Sequence, residues 1–130
     1  MSTAVKYGSY SHLIGVSYDT LNCWQLCQKF YSSVLSINLS DYFFDPNYTE
    51  DKNYVNSLIR ANDQDFHKVK SPQFGDLITL RIRGIECHIA VYVGNGLILH
   101  TQKKTGSVID RLSRWQPFVA GYYSIKKESP

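Results

Sequence analysis

The pattern of hydrophobic and polar positions divides the chain into two parts with different periods. Between Asn22 and Val34 the apolar residues recur every three or four positions, which indicates one buried face of an α-helix. The residues on this face are Cys23, Leu26, Cys27, Phe30, Tyr31 and Val34. Gln25 follows Asn22 by three positions, as in a capping box, so we expect Asn22 to be the N-cap and Cys23 the first helical residue.

A second, weaker helical pattern spans Glu50–Ala61 and carries Tyr54, Val55, Leu58 and Ile59. The segments 35–48 and 62–74 are rich in Asn, Asp and Ser, which favours connecting structure. The first part of the chain is therefore predicted to be helical, with two irregular connections.

From Gly75 onward the apolar residues alternate with polar ones or form short β-branched runs, which is typical of strands. The predicted strands are Asp76–Arg83, Ile85–Val93, Leu97–Gln102, Ser107–Arg111 and Pro117–Lys126. The order of elements predicts an α+β fold in which N-terminal helices pack on an antiparallel sheet of about five strands.

The register of the hairpin around Gly94–Gly96 decides which side chains share a face. A three-residue loop pairs Val93 with Leu97 and makes His88 and His100 diagonal neighbours on one face, roughly 7 to 8 Å apart at Cα. A two-residue turn would shift the pairing by one and place the histidines on opposite faces. The three-residue register leaves a continuous apolar face, and we therefore prefer it.

Composition narrows the class of protein. The 130 residues are 43% hydrophobic and 19% charged, which predicts one globular domain over 1–130. The net charge is +3 and the basic residues are scattered, so we expect no nucleic-acid partner. The apolar runs are far shorter than the roughly 20 residues of a membrane span, and we expect no membrane insertion. The N-terminus lacks the pattern of an export signal, so we expect synthesis in a cytoplasm.

Cys23 is the first candidate for chemistry, because a thiol in the first turn of a helix has a lowered pKa and is a better nucleophile. The alternative is that Cys23 is a small buried hydrophobic residue. His88 and His100 could supply a base, although a single histidine in a strand is usually only a tolerated polar residue. Cys87 must point away from His88, so we expect no metal or other cofactor. A small zinc-stabilised binding module remains a third possibility.

Three motifs resemble the NlpC/P60 family of papain-like cysteine peptidases, in particular the short versions in tail-tip proteins of long-tailed phages. Residues 21–26 (LNCWQL) resemble the family's Asp-Cys-(Ser or Trp)-Gly-Leu-Val helix start, and residues 75–78 (GDLI) resemble its Gly-Asp-Leu strand. Residues 88–100 (HIAVYVGNGLILH) resemble its histidine hairpin. The resemblance covers roughly residues 15–125, and the hairpin is its most specific part.

The resemblance implies a catalytic triad of Cys23, His88 and His100. His88 would take the proton from the thiol and His100 would orient His88. A tyrosine near the oxyanion would be Tyr18 or Tyr10, which the spacing does not decide. The implied activity is that of an endopeptidase or amidase on peptidoglycan peptides. The implied context is a phage tail tip, so the expected partners are tail-tip proteins and the expected location is the virion.

The helix start also departs from the family pattern. Asn22 stands in place of the usual Asp, and Trp24 and Gln25 stand in place of a Ser-Gly pair. These departures favour an alternative in which the chain is an inactive structural component of the tail tip. A segment rich in aromatic residues, Asp41–Tyr54, either docks onto a larger partner or covers the domain's own core.

Overall fold

One long helix and a six-stranded antiparallel sheet form the part of the chain that the structure describes, a computed structural model covering residues 10–39, 66–83 and 85–125. The helices are α1 (Cys23–Val34) and the single-turn α2 (Leu112–Trp115), with 3-10 turns at Ser11–Leu13 and Gln116–Phe118. The strands are β1 (Phe66–Val69), β2 (Leu77–Ile82), β3 (Ile85–Tyr92), β4 (Leu97–Gln102), β5 (Gly106–Arg111) and β6 (Val119–Ile125). The predicted helix at Glu50–Ala61 and the segment Asp41–Tyr54 lie outside the described residues.

Helix α1 begins at Cys23, and its capping box is confirmed. The Gln25 backbone N–H donates to the Asn22 side chain at 3.0 Å, and the Asn22 backbone N–H donates to the Gln25 side chain at 3.0 Å. The predicted apolar face is buried against the sheet. Neither helix in the described ranges is long and apolar enough to cross a membrane.

The strands lie side by side in the order β1-β6-β2-β3-β4-β5. The five predicted strands are all present, and β1 is a sixth, inside a segment that was predicted to be a connection. That prediction was wrong because β1 has only four residues, with His67 and Lys68 exposed, so it shows no period. Its order comes from pairing with β6 at the sheet edge rather than from its own pattern.

The hairpin between β3 and β4 has the three-residue loop. Val91 pairs with Leu99, and the N–H of Val93 donates to the carbonyl of Leu97 at 2.9 Å. The two-residue turn is therefore wrong. Residues 94, 95 and 96 have φ values of 86°, 55° and 74°, a left-handed run that Gly and Asn adopt at low cost.

Different elements pack on the two faces of the sheet. Helix α1 packs on the face that carries Ile89, Val91 and Leu99. The opposite face carries the buried residues Ile78, Leu80, Ala90 and Ile98, against which the partly buried Tyr92, Leu112, Trp115, Val119 and Tyr122 pack. The molecule is therefore layered, with α1 on one side of the sheet and the segment around α2 on the other.

The Gly-Asp-Leu motif joins α1 to the hairpin. The Tyr31 hydroxyl donates a buried hydrogen bond to the carbonyl of Gly75. The backbone N–H of Gly75 donates to the carbonyl of Tyr92 at 2.8 Å, and the backbone N–H of Tyr92 donates to the carbonyl of Asp76 at 2.8 Å. The motif thus has a structural role, which is to fix the helix against strands β2 and β3.

Candidate active site

Cys23 and Cys27 are both buried, but they occupy different positions on α1. Cys23 is the first helical residue, where backbone N–H groups are unpaired and favour a negative charge, and it is 5% exposed. Cys27 lies one turn further on and is 1% exposed. Burial, and then the proximity of Cys23, raises the pKa of the Cys27 thiol, which makes Cys27 a packing residue.

The two histidines predicted to share one face of the hairpin are in direct contact. Nε2 of His88 and Nδ1 of His100 are 3.0 Å apart, and the two rings are nearly perpendicular at 81°. His100 is fully buried and His88 is half-buried. The residue that would orient the base is therefore more deeply enclosed than the base itself.

Asp110 extends this pair, and the sequence analysis missed it. Its Oδ2 faces Nε2 of His100 at 3.4 Å and accepts a hydrogen bond of 2.9 Å from Nε1 of Trp115. Its Oδ1 accepts from the Arg111 backbone N–H at 2.9 Å and lies 3.6 Å from the guanidinium of Arg114, which is 75% exposed. Asp110 pairs with Ile98 in the β4–β5 ladder, so it is a diagonal neighbour of His100. His88 and His100 were identified as diagonal neighbours on β3 and β4. The same consideration of β4 and β5 identifies Asp110.

Trp115 encloses both imidazoles. Its ring stacks on His88 at 6.0 Å between centroids with an angle of 28°, and meets the His100 ring edge-on at 4.9 Å and 75°. An aromatic wall of this kind excludes water, and polar interactions are stronger where water is excluded. His88, His100, Asp110 and Trp115 are named the histidine cluster below.

The surroundings keep both imidazoles neutral. Burial, and then the neighbouring His100, lowers the pKa of His88 to about 3. Burial also lowers the pKa of His100, although Asp110 opposes this change. For Asp110, burial by itself would raise the pKa, but hydrogen bonds from Trp115, Arg111 and His100 outweigh it and the net shift is downward. Two neutral imidazoles therefore stand in line with a carboxylate.

Within the described ranges, no three His, Cys, Asp or Glu side chains are grouped so that they could hold a metal ion. The histidine cluster has only one carboxylate, and that carboxylate already accepts hydrogen bonds from Trp115 and Arg111.

Cys23 and the histidine cluster come from different sides of the sheet. Helix α1 contacts β3 and β4 through the face of Val91, whereas His88 lies with Ala90 on the face of Trp115. The β3–β4 ladder contains the pairs Val91–Leu99 and Tyr92–Ile98, next to the turn. His88 and His100 lie beyond those pairs, and a β-bulge in the β2–β3 ladder adjoins His88. Among the described residues, the β3–β4 ladder does not extend to the histidines, and His88 pairs instead with Leu80 of β2 and His100 with Val108 of β5.

The two candidate tyrosines differ in position. The ring of Tyr10 packs on Phe30 at 6.0 Å and on Phe74 at 6.5 Å. Phe30 is seven residues along α1 from Cys23, which is about 10 Å of helix. Tyr18 lies close to the helix start in the sequence, and Nζ of Lys103 is 5.9 Å from the centre of its ring. Tyr10 therefore lies beside the middle of α1, and Tyr18 stays the prediction for the tyrosine near the oxyanion.

The two departures at the helix start have structural explanations. The Trp24 side chain is fully buried in the core beside the sheet. The Gln25 side chain turns back to the Asn22 backbone as part of the capping box. Trp24 therefore contributes to the core, and Gln25 contributes to the cap of the helix.

Comparison with known proteins gives one family and one fold. The model of the NlpC/P60 family matches residues 7–123. The crystal structure of the NlpC/p60 domain of the peptidoglycan hydrolase SagA is similar, with 16% sequence identity and a TM-score of 0.54. The similarity covers 93% of this chain and 92% of that chain. No curated protein matches the chain.

Proposed function

This chain belongs to the NlpC/P60 family and has its papain-like α+β fold, and from that premise we propose that it hydrolyses amide bonds in peptidoglycan peptides with Cys23 as the nucleophile. One observation carries the proposal. The His88–His100 contact of 3.0 Å, which is partly buried, lies on the two strands that α1 contacts, and α1 begins with the cysteine. A thiol at a helix start and a neutral imidazole backed by a second one are the groups that thiol acyl transfer requires.

The reaction starts from neutral groups because the cluster keeps His88 unprotonated. His88 takes the proton of the Cys23 thiol as sulfur attacks the amide carbonyl, and a C–S bond forms. His88 then gives that proton to the departing amine, which leaves an acyl-enzyme. Water activated by His88 hydrolyses the thioester and restores the thiol. The Cys23 backbone N–H and the Tyr18 hydroxyl are placed here as the donors that stabilise the oxyanion.

The thiol and the imidazole meet, in this proposal, in the unpaired region between β3 and β4. Support comes from the ladder, which is paired beside the turn at Val91–Leu99, whereas His88 and His100 lie beyond it. Helix α1 crosses the same two strands.

Digestion of purified peptidoglycan, followed by mass spectrometry of the released peptides, tests the proposal. We expect turnover by the wild type and a loss of at least about 1000-fold in Cys23→Ser, the size of effect seen when a nucleophile is removed. Cys27→Ser is the matched control, because it alters the next thiol on the same helix face and should affect stability rather than chemistry. Equal turnover by wild type and Cys23→Ser would contradict the assignment.

A second candidate function is that of a structural component which has kept the fold and lost hydrolysis. The observation that favours it is the 5% exposure of Cys23, together with the position of the histidines on the other face of the sheet. It predicts no turnover by the wild type in the same digestion, with the protein fully folded.

The context that we propose is the tail tip of a long-tailed phage, with peptidoglycan as substrate and other tail-tip proteins as partners. Support comes from the tryptophan after Cys23, which resembles the tail-protein branch of the family. The protein would be made in the host cytoplasm and carried outside in the virion. Mass spectrometry of purified phage particles should find it in the tail fraction, and its absence there would contradict this context.

A further inference from the structure

We propose that Asp110, held by Trp115, is a positioning residue that fixes the proton arrangement of both histidines and leaves Nδ1 of His88 as the basic atom. The inference rests on the proposed function for its meaning in catalysis. Its structural content, the tautomer of each imidazole, does not depend on whether the chain hydrolyses anything.

The carboxylate of Asp110 can only accept hydrogen bonds. Oδ2 of Asp110 is the oxygen that faces Nε2 of His100, at 3.4 Å. If Nε2 carried a lone pair, that lone pair would point at a negative oxygen inside a buried site. The proton of neutral His100 is therefore on Nε2, and its lone pair is on Nδ1.

The position of the proton on His100 determines the position of the proton on His88. Nδ1 of His100 is 3.0 Å from Nε2 of His88, which is hydrogen-bond distance. Since Nδ1 of His100 is the acceptor, Nε2 of His88 must be the donor. A neutral imidazole has one N–H, so Nδ1 of His88 carries the free lone pair. One carboxylate thus sets the proton arrangement of both rings, through an electrostatic contact with His100 and the hydrogen bond between the rings.

Trp115 holds the carboxylate in place. Its Nε1–H donates to the same Oδ2 that faces His100, at 2.9 Å, and its ring contacts both imidazoles. The distance of 3.4 Å between Oδ2 and His100 is longer than a strong charge-assisted bond of about 2.7–2.9 Å. Hydrogen bonds of this kind are often long before substrate binds and shorten in the complex.

The direct test measures the tautomers by nitrogen-15 NMR of the histidine rings in the whole chain at neutral pH. We expect both His88 and His100 to carry the proton on Nε2. In Asp110→Asn the amide NH2 can donate to His100, so we expect a changed or mixed tautomer in both rings. A proton on Nδ1 of His88 in the wild type would overturn the proposal, as would tautomers that are unchanged in Asp110→Asn.

Two further variants keep the test decisive. Trp115→Phe keeps an aromatic wall but removes the Nε1 donor, and it should shift the His100 signals. It supplies the test if Asp110→Asn does not fold. Unchanged His100 signals in Trp115→Phe would remove Trp115 from the proposal. Arg114→Ala is the matched control, because it removes only an exposed partner of the same carboxylate and should leave the tautomers unchanged.

Activity supplies an independent readout. We expect Asp110→Asn to lower kcat by about 10- to 100-fold with little change in KM, the effect of losing a group that orients a functional histidine. Arg114→Ala should keep the wild-type kcat, and an equal loss in both variants would overturn the positioning role. If the wild type has no hydrolytic activity, the proposed function fails, and the NMR result still decides whether Asp110 sets the tautomers.

Discussion

At the scale of single residues, the state of His88 depends on its neighbours rather than on its own chemistry. Burial beside His100 lowers its pKa from 6.5 to about 3, so the ring is neutral under ordinary conditions. A neutral ring has a free lone pair, and the lowered pKa means that it takes up a proton only when a negative charge beside it favours the imidazolium. The sequence predicted which histidines meet, because strand parity fixes faces, but it could not predict their ionisation, which depends on desolvation by the whole fold.

The depressed pKa of His88 predicts how stability depends on pH. The unfolded chain binds a proton at His88 near pH 6.5, whereas the folded chain does so near pH 3. The free energy of unfolding should therefore fall as the pH is lowered from about 6.5 toward 3. His88→Phe should reduce this loss, as measured by urea denaturation at pH 7, 5.5 and 4.5. His67→Phe, at an exposed position on β1, is the control. An equal pH dependence in wild type and His88→Phe would contradict the buried, neutral state.

At the scale of elements, local sequence motifs correctly predicted one helix start and one hairpin register. The capping box fixed the start of α1 at Cys23, and the Gly-Asn-Gly loop fixed the hairpin register. Strand β1 and helix α2 were missed because each has only four residues and takes its order from tertiary contacts. Asp110 was missed for a different reason, since it reaches the site only through the pairing of β4 with β5.

The start of β5 gives a prediction at this scale. Gly106 has φ 70°, and a Cβ there would lie 2.6 Å from the backbone oxygen of Val16, which accepts a hydrogen bond from Ser107. Gly96 has a similar φ of 74° and open space around it. Gly96→Ala should cost about 1–2 kcal/mol for the left-handed conformation alone.

Gly106→Ala should lower the free energy of unfolding by more, because it also displaces the segment at Val16 from the edge of β5. Chemical denaturation of both variants measures the difference. A loss in Gly106→Ala no larger than that in Gly96→Ala would show that the contact between Val16 and β5 contributes nothing to stability.

At the scale of the whole molecule, helix α1, which begins at Cys23, and the two histidines lie on opposite faces of the sheet. Helix α1 covers one face and the histidine cluster lies on the other, with Trp115 as its outer wall. The sequence predicted Cys23, His88 and His100 by position and resemblance. It could not predict that α1 and the histidine cluster lie on opposite faces. That arrangement depends on how the chain returns through α2 and β6. Hydrolysis by this pair, as proposed, therefore requires the thiol and the imidazole to meet where the β3–β4 ladder ends.

A bifunctional haloketone that alkylates a thiol and then a nearby imidazole tests this requirement most directly. After treatment near pH 6 and proteolysis, mass spectrometry should find one bridge, between Cys23 and His88, and none from Cys27. The bridge should be absent in His88→Phe, while single alkylation of Cys23 remains. Alkylation of Cys23 without any bridge to His88 in the folded wild type would show that the two groups do not form one site.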